Sequence, residues 1–109
     1  MKIDASLMYD PVTVVAMAGQ LEQLGFDGAY TFEGQSDPFI SLSAAAMSTQ
    51  KMDLMTSIAV AFSRNPMSLA YAANDLQNLS GGRFILGLGT QVKAHIERRF
   101  SMPWSKPAA

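Results

Sequence analysis

Three dipeptides recur along the chain at nearly fixed spacing: Asp10-Pro11, Asp37-Pro38 and Asn65-Pro66, at steps of 27 and 28 residues. Each joins a side chain that caps a helix N-terminus to a proline suited to the first helical position. Each therefore predicts a helix start, and the apolar spacing that follows agrees. Val14, Met17, Ala18, Leu21 and Leu24 follow the first; Phe39, Leu42, Ala45 and Ala46 the second; Leu69, Ala70, Ala73, Leu76 and Leu79 the third. Gly25 and the run Ser80-Gly81-Gly82 supply the stops. A strand is predicted before each helix, over residues 2–8, 28–33 and 54–62, and a fourth over 83–89. The last two are apolar almost throughout, as strands buried on both faces of a parallel sheet are. Residues 93–100 are predicted to open a fourth helix, and Met102-Pro103-Trp104 and Pro107 to lie in a loop.

Strand and helix alternating in this way make a parallel α/β fold with right-handed crossovers, either an open doubly wound sheet or a (β/α)8 barrel. Eight such units would total roughly 220 residues, near the low end for a barrel, so 109 residues make half of one. An open sheet would be complete at this length, but the tight Gly-rich loop expected after its first strand is missing: residues 4–11 contain no glycine. Gly87-Leu88-Gly89-Thr90-Gln91-Val92 begins like a dinucleotide fingerprint, yet Val92 stands at the third glycine and the motif follows the fourth strand. Close approach of a neighbouring backbone or a ligand explains these glycines better. The repeat thus favours part of a barrel.

Composition narrows the chemistry. The chain has no Cys and one His, which removes disulfides, thiol nucleophiles and multi-His metal sites; no metal is expected. No Gly-x-Ser-x-Gly elbow is present, so nucleophilic hydrolysis has no support. The formal charge is −1, which gives no reason to expect nucleic acid or an anionic membrane as a partner. The charge is uneven: residues 1–82 hold three basic and eight acidic side chains, and residues 83–109 five and one. No apolar run is long enough to span a membrane and Lys2 and Asp4 interrupt any N-terminal signal, so a cytoplasmic protein is expected. The eight methionines fit core packing. A barrel builds its active site at the C-terminal ends of its strands. Glu33 falls there and is the candidate acid or base, although a solvated loop carboxylate fits as well. Asp4 comes too early in its strand, and His95 and Arg98-Arg99 suit a helix surface. Arg64 is placed either to hold an anion or to pair with a carboxylate.

Residues 56–91, TSIAVAFSRNPMSLAYAANDLQNLSGGRFILGLGTQ, resemble the bacterial luciferase-like superfamily of flavin- and deazaflavin-dependent oxidoreductases. The strand ending Ala-Val-Ala-Phe, the Arg-x-Pro-Met step, the Ser-Gly-Gly-Arg-Phe turn and the Leu-Gly-Leu-Gly strand match in order. So does Leu24-Gly25-Phe26-Asp27-Gly28 before the second strand. Residues 91–100 with Pro103-Trp104 are similar to a subgroup that uses coenzyme F420. The resemblance implies an α/β fold in which residues 1–109 form one partial domain, the N-terminal half of a (β/α)8 TIM barrel. About four parallel strands would alternate with three to four helices. It implies hydride transfer between a small-molecule substrate and F420; an FMN-dependent monooxygenase and a truncated, non-catalytic fragment are the alternatives. It further implies that Ser57, Ile58 and Ala59 face the cofactor, around a non-proline cis peptide at Ser57–Ile58 in the complete barrel. Without the later strands that bond is expected to be unsettled or trans. Relatives often carry a His just after the second strand; here Gly34-Gln35 follows Glu33, which leaves Glu33 as the nearest ionisable candidate. Half a barrel leaves its outer strands unpaired, so self-association is expected through an edge that includes Ile3, Leu7, Phe84 and Leu86.

Overall fold

The computed structural model describes residues 1–8 and 10–104. Its main helices start at the Asp/Asn-Pro pairs: α1 is Pro11–Gln23, α2 is Pro38–Ser48 and α3 is Pro66–Leu79. Asp10 Oδ1 accepts from the N–H groups of Val12 and Thr13, each at 3.0 Å. Asp37 Oδ1 accepts from Phe39 at 2.8 Å and Ile40 at 3.3 Å, and Asn65 Oδ1 from Met67 at 2.8 Å. These bonds satisfy first-turn N–H groups that have no partner within the helix. The Thr13 N–H, then its hydroxyl, hold the Asp10 carboxyl below its ordinary range. At the other ends the backbone turns left-handed, with φ of 93° at Gly25, 66° at Gly81 and 89° at Gly82. Only glycine adopts such angles freely.

The strands are β1 (Asp4–Ser6), β2 (Gly28–Thr31), β3 (Asp53–Thr56), β4 (Ala59–Val60), β5 (Phe84–Ile85) and β6 (Leu88–Gly89), and α4 is Lys93–Arg98. One sheet runs β1-β2-β3-β5 and a second pairs β4 with β6; every pairing is parallel. Ala29 lies opposite Leu54, and Leu54 opposite Phe84. The strand order follows the chain without reversal, as in a barrel, whereas a doubly wound sheet reverses at a switch point. α1 packs on α2 and α2 on α3. Val14, Ala18, Phe39, Leu42 and Leu76 from the helices form one core with Ala29, Leu54 and Phe84 from the strands.

Two expected strands are each interrupted. Residues 54–62 become β3, β4 and a 3-10 turn at Ala61–Ser63, and the fourth strand breaks between β5 and β6. The interruptions face each other. The Ser57–Ile58 peptide is cis, contrary to the expectation of an unsettled or trans bond in this chain. Beside it the Thr56 hydroxyl donates to the Gly87 carbonyl at 2.7 Å and accepts from the Gly87 N–H at 2.8 Å. A side chain thus stands in for main-chain ladder bonds at the point where both strands break. The Ala59 N–H then donates to the same carbonyl at 2.9 Å, and pairing resumes.

Some burial differs from the sequence pattern. Leu7 and Phe84, expected at exposed edges, are 2% and 8% exposed and belong to the core, because each packs beneath a helix layer rather than along the edge. Ile3 and Leu86 are exposed as expected. Leu24 is also exposed, since it sits at the cap where α1 ends. Pro107 lies outside the described residues. No helix among the described residues is long and apolar enough to cross a membrane.

Two charged side chains fasten the end of the sheet away from the strand C-termini. Arg83 donates to the carbonyls of Ser80 (2.6 Å), Met52 (2.8 Å) and Thr49 (3.1 Å) and to the Thr49 hydroxyl (2.9 Å). It thereby serves orphan carbonyls at the ends of α2 and α3. Glu22 on α1 accepts from the consecutive N–H groups of Gln50, Lys51 and Met52 at 2.7–3.0 Å.

Candidate functional site

Because β1 and β2 are parallel, the turns that lead into α1 and α2 meet at one end of the sheet. A cavity of about 850 Å³ lies there. Leu7, Met8, Phe32 and Pro38 supply apolar wall; Thr31, Gln35, Ser36 and Ser41 supply polar groups. Asp10 and Asp37 reach its lining while capping their helices, and Arg99 from the turn after α4 closes one side. Arg99 Nη2 donates to the Gly34 carbonyl.

Glu33 follows β2 but does not line this cavity. Its side chain is 9% exposed and pairs with Arg64, whose side chain is 16% exposed, at 2.5 Å. The same Oε1 accepts from the Val60 N–H at 2.8 Å, while the Glu33 N–H donates to the Ile58 carbonyl at 3.1 Å. Arg64 also reaches the Val60 carbonyl at 3.1 Å, the Ser63 hydroxyl at 3.2 Å and Asp37 Oδ2 at 3.5 Å. Its guanidinium carbon stands 4.9 Å from the centre of the Phe39 ring. Of the two placements open to Arg64, the structure shows the carboxylate partner.

The residues expected to face a cofactor sit next to this pair. Ser57 is exposed, and its N–H donates to the Thr31 carbonyl at 2.6 Å, linking it to the cavity wall. Ile58 is half-buried and its side chain lies against Gly89 so closely that a methyl group there would collide with it. Ala59 is fully buried opposite Leu88 and offers no surface of its own. Gly87 lets the Thr56 carbonyl approach its backbone, and a methyl group there would collide with that oxygen. Close approach of the Thr56 backbone at Gly87 and of the Ile58 side chain at Gly89 is therefore the reason for the Gly-Leu-Gly motif. None of Ser57, Ile58 and Ala59 lines the cavity, but an exposed serine and an apolar side chain beside its wall fit a planar, partly polar ring.

His95 and Arg98 are exposed on α4, as the sequence suggests for a helix surface, and neither lines the cavity. Sequence reasoning missed Arg99 as a cavity residue and Arg83 as a structural hub. The excess of basic residues after residue 82 was the available signal for Arg99; the Arg83 partners Thr49 and Met52 are distant in sequence and left none.

The chain matches the model of the luciferase-like monooxygenase family over residues 4–109. It belongs to that family. This luciferase-like chain is 51% identical over 108 residues to an uncharacterized protein of Mycobacterium tuberculosis, covering 99% of this chain and 32% of that protein. It is 33% identical over 101 residues to the 5,10-methylenetetrahydromethanopterin reductase of Methanolobus tindarius, covering 90% of this chain and 31% of that enzyme. Its fold matches the structure of the coenzyme F420 dependent tetrahydromethanopterin reductase of Methanopyrus kandleri with a TM-score of 0.79 and 26% identity. That match covers 94% of the luciferase-like chain and 30% of the reductase. The chain thus spans about a third of the length of the relatives it matches. Its parallel α/β architecture is the part of a TIM barrel that those relatives share.

Proposed function

We propose that the protein serves as an oxidoreductase that holds a deazaflavin ring, coenzyme F420, against Ser57 and Ile58 and passes hydride between that ring and a small-molecule substrate. The observation that carries this reading is the position of the Ile58 ledge, set against Gly89 and joined through Ser57 and Thr31 to the wall of the 850 Å³ cavity. The deazaflavin, when bound, supplies the hydride chemistry; the protein orients it and excludes water. Ile58 gives the ring an apolar surface and Ser57 a hydroxyl, and buried Ala59 adjoins them. Phe32 and Pro38 give the cavity apolar wall, and Gln35, Ser36 and Ser41 offer hydrogen bonds to a substrate. The Methanopyrus relative, described as coenzyme F420 dependent, favours deazaflavin over FMN. Glu33 belongs to this reading as the ionisable side chain nearest the ledge. A cytoplasmic location and self-association through the open sheet edges are parts of the same proposal.

Titration with F420 and, separately, with FMN, each followed by cofactor fluorescence, tests the reading. We expect weak binding with F420 preferred, and loss of binding in Ile58→Asp, whose carboxylate would be desolvated beneath the ring. A preference for FMN would replace the deazaflavin reading with the monooxygenase one. Unchanged affinity in Ile58→Asp would remove Ile58 from the site.

A further inference from the structure

We infer that Glu33 is a positioning residue: its side chain takes the place of a strand carbonyl and fixes the ring-facing segment, with Arg64 holding it in that place. In a parallel ladder one residue donates its N–H to one residue of the neighbouring strand and accepts, through its own carbonyl, from the residue two further on. Glu33 makes this pattern around Ala59. Its N–H donates to the Ile58 carbonyl at 3.1 Å, but the acceptor for the Val60 N–H, at 2.8 Å, is Oε1 rather than the main-chain oxygen.

The substitution has a geometric result. The regular pairing of β2 with β3 ends at Thr31 and Thr56. Beyond it the chain at Gly34–Ser36 turns away to line the cavity, yet the segment from Ile58 to Val60 is still gripped. A main-chain carbonyl in that role would keep residues 33 and 34 on the strand path. The carboxylate frees them while preserving the bond. Arg64 bonds both Glu33 Oε1 and the Val60 carbonyl, so it closes the carboxylate and the strand into one unit. Its contacts with Asp37 and the Phe39 ring fasten that unit to the start of α2. A carboxylate largely shut from solvent, absent from the cavity wall and engaged by two donors on one oxygen is placed to hold a strand, not to carry a proton to a substrate.

This inference rests on the proposed ring-facing role of Ser57 and Ile58, and its test separates the two. Amide exchange by NMR and F420 titration are measured on the 109-residue chain with Glu33→Ala, Glu33→Gln and Arg64→Ala. Glu33→Ala is expected to speed exchange of the Val60 amide about tenfold or more, with the Leu54 amide unchanged as the control for folding. Glu33→Gln keeps an acceptor oxygen and is expected to preserve most of the Val60 protection and of the F420 affinity; Arg64→Ala is expected to fall between. A proton carrier would show the reverse: Gln as damaging as Ala to hydride transfer, and Val60 exchange unmoved in both. Val60 protection unchanged in Glu33→Ala, or Glu33→Gln as exposed as Glu33→Ala, overturns the inference. If the wild-type chain binds neither F420 nor FMN, the cofactor reading falls, and Val60 exchange still decides the role of Glu33.

Discussion

Single residues govern where this chain bends. Gly87 and Gly89 look equivalent in sequence, but what a methyl group would meet at each differs in kind. At Gly87 it is the Thr56 carbonyl, part of the backbone; at Gly89 it is the Ile58 side chain, whose outer atoms can rotate away although its Cβ also lies close. We therefore expect Gly87→Ala to cost about 3 kcal/mol or more, at the upper end of overpacking effects, and Gly89→Ala less. The double variant Gly89→Ala, Ile58→Val should recover part of the Gly89→Ala loss. Urea denaturation of the four proteins checks this, and equal penalties at both glycines would refute it. Arg83 is a second such residue. Lysine cannot reach Ser80, Thr49 and Met52 at once. Arg83→Lys should lose nearly as much stability as Arg83→Ala, on the order of 2 kcal/mol, because buried carbonyls are left without donors in both. A thermal melt in which Lys restores wild-type stability would contradict the fork geometry.

At the scale of elements, Glu22 joins the end of α1 to the turn between α2 and β3. Desolvation pushes its carboxyl pKa up, but the N–H groups of Lys51, Met52 and Gln50, with the nearby Arg83 charge, outweigh that and hold it below its ordinary value. A carboxyl lowered on folding stabilises the fold above its ordinary pKa, and the contribution is lost as pH falls through the lowered value. Glu22→Gln should therefore cost about 1 kcal/mol at neutral pH, modest because the group is only partly buried. The difference from wild type should shrink in acid, and denaturation series at several pH values measure it. A difference that grows in acid would reverse the sign. The helices were legible in sequence because Asp10, Asp37 and Asn65 act within three residues of themselves. The strand breaks were not: the run from Leu54 to Phe62 has the same apolar character whether it forms one strand or two. What divides it is Thr56 meeting Gly87, a contact 31 residues away. Family resemblance located the Ser57–Ile58 bond, which periodicity alone did not. The candidate site was half legible. Glu33 and Arg64 were each singled out, but their pairing depends on the return of the chain after β4 and has no local signature.

On the scale of the whole molecule, the order β1-β2-β3-β5 leaves the outer sides of β1 and β5 without a neighbour among the described residues. Ile85 on β5, Leu86 just after it and Leu88 on β6 are 38–49% exposed. Unpaired apolar edges recruit further strands, so light scattering should show mass rising with protein concentration, and Leu86→Lys should reduce it. A monomer of constant mass at every concentration would end the self-association proposal. The segment after α4 returns to the strand-end face, where Trp104 meets Phe62 edge-on with ring centres 5.2 Å apart. Trp104 is the only tryptophan in the sequence. All indole emission from the protein therefore originates at one place, beside the turn that follows β4. The fold thus carries its own optical label: a red shift without global unfolding would report this segment lifting from the strand ends, in unmodified protein and in real time.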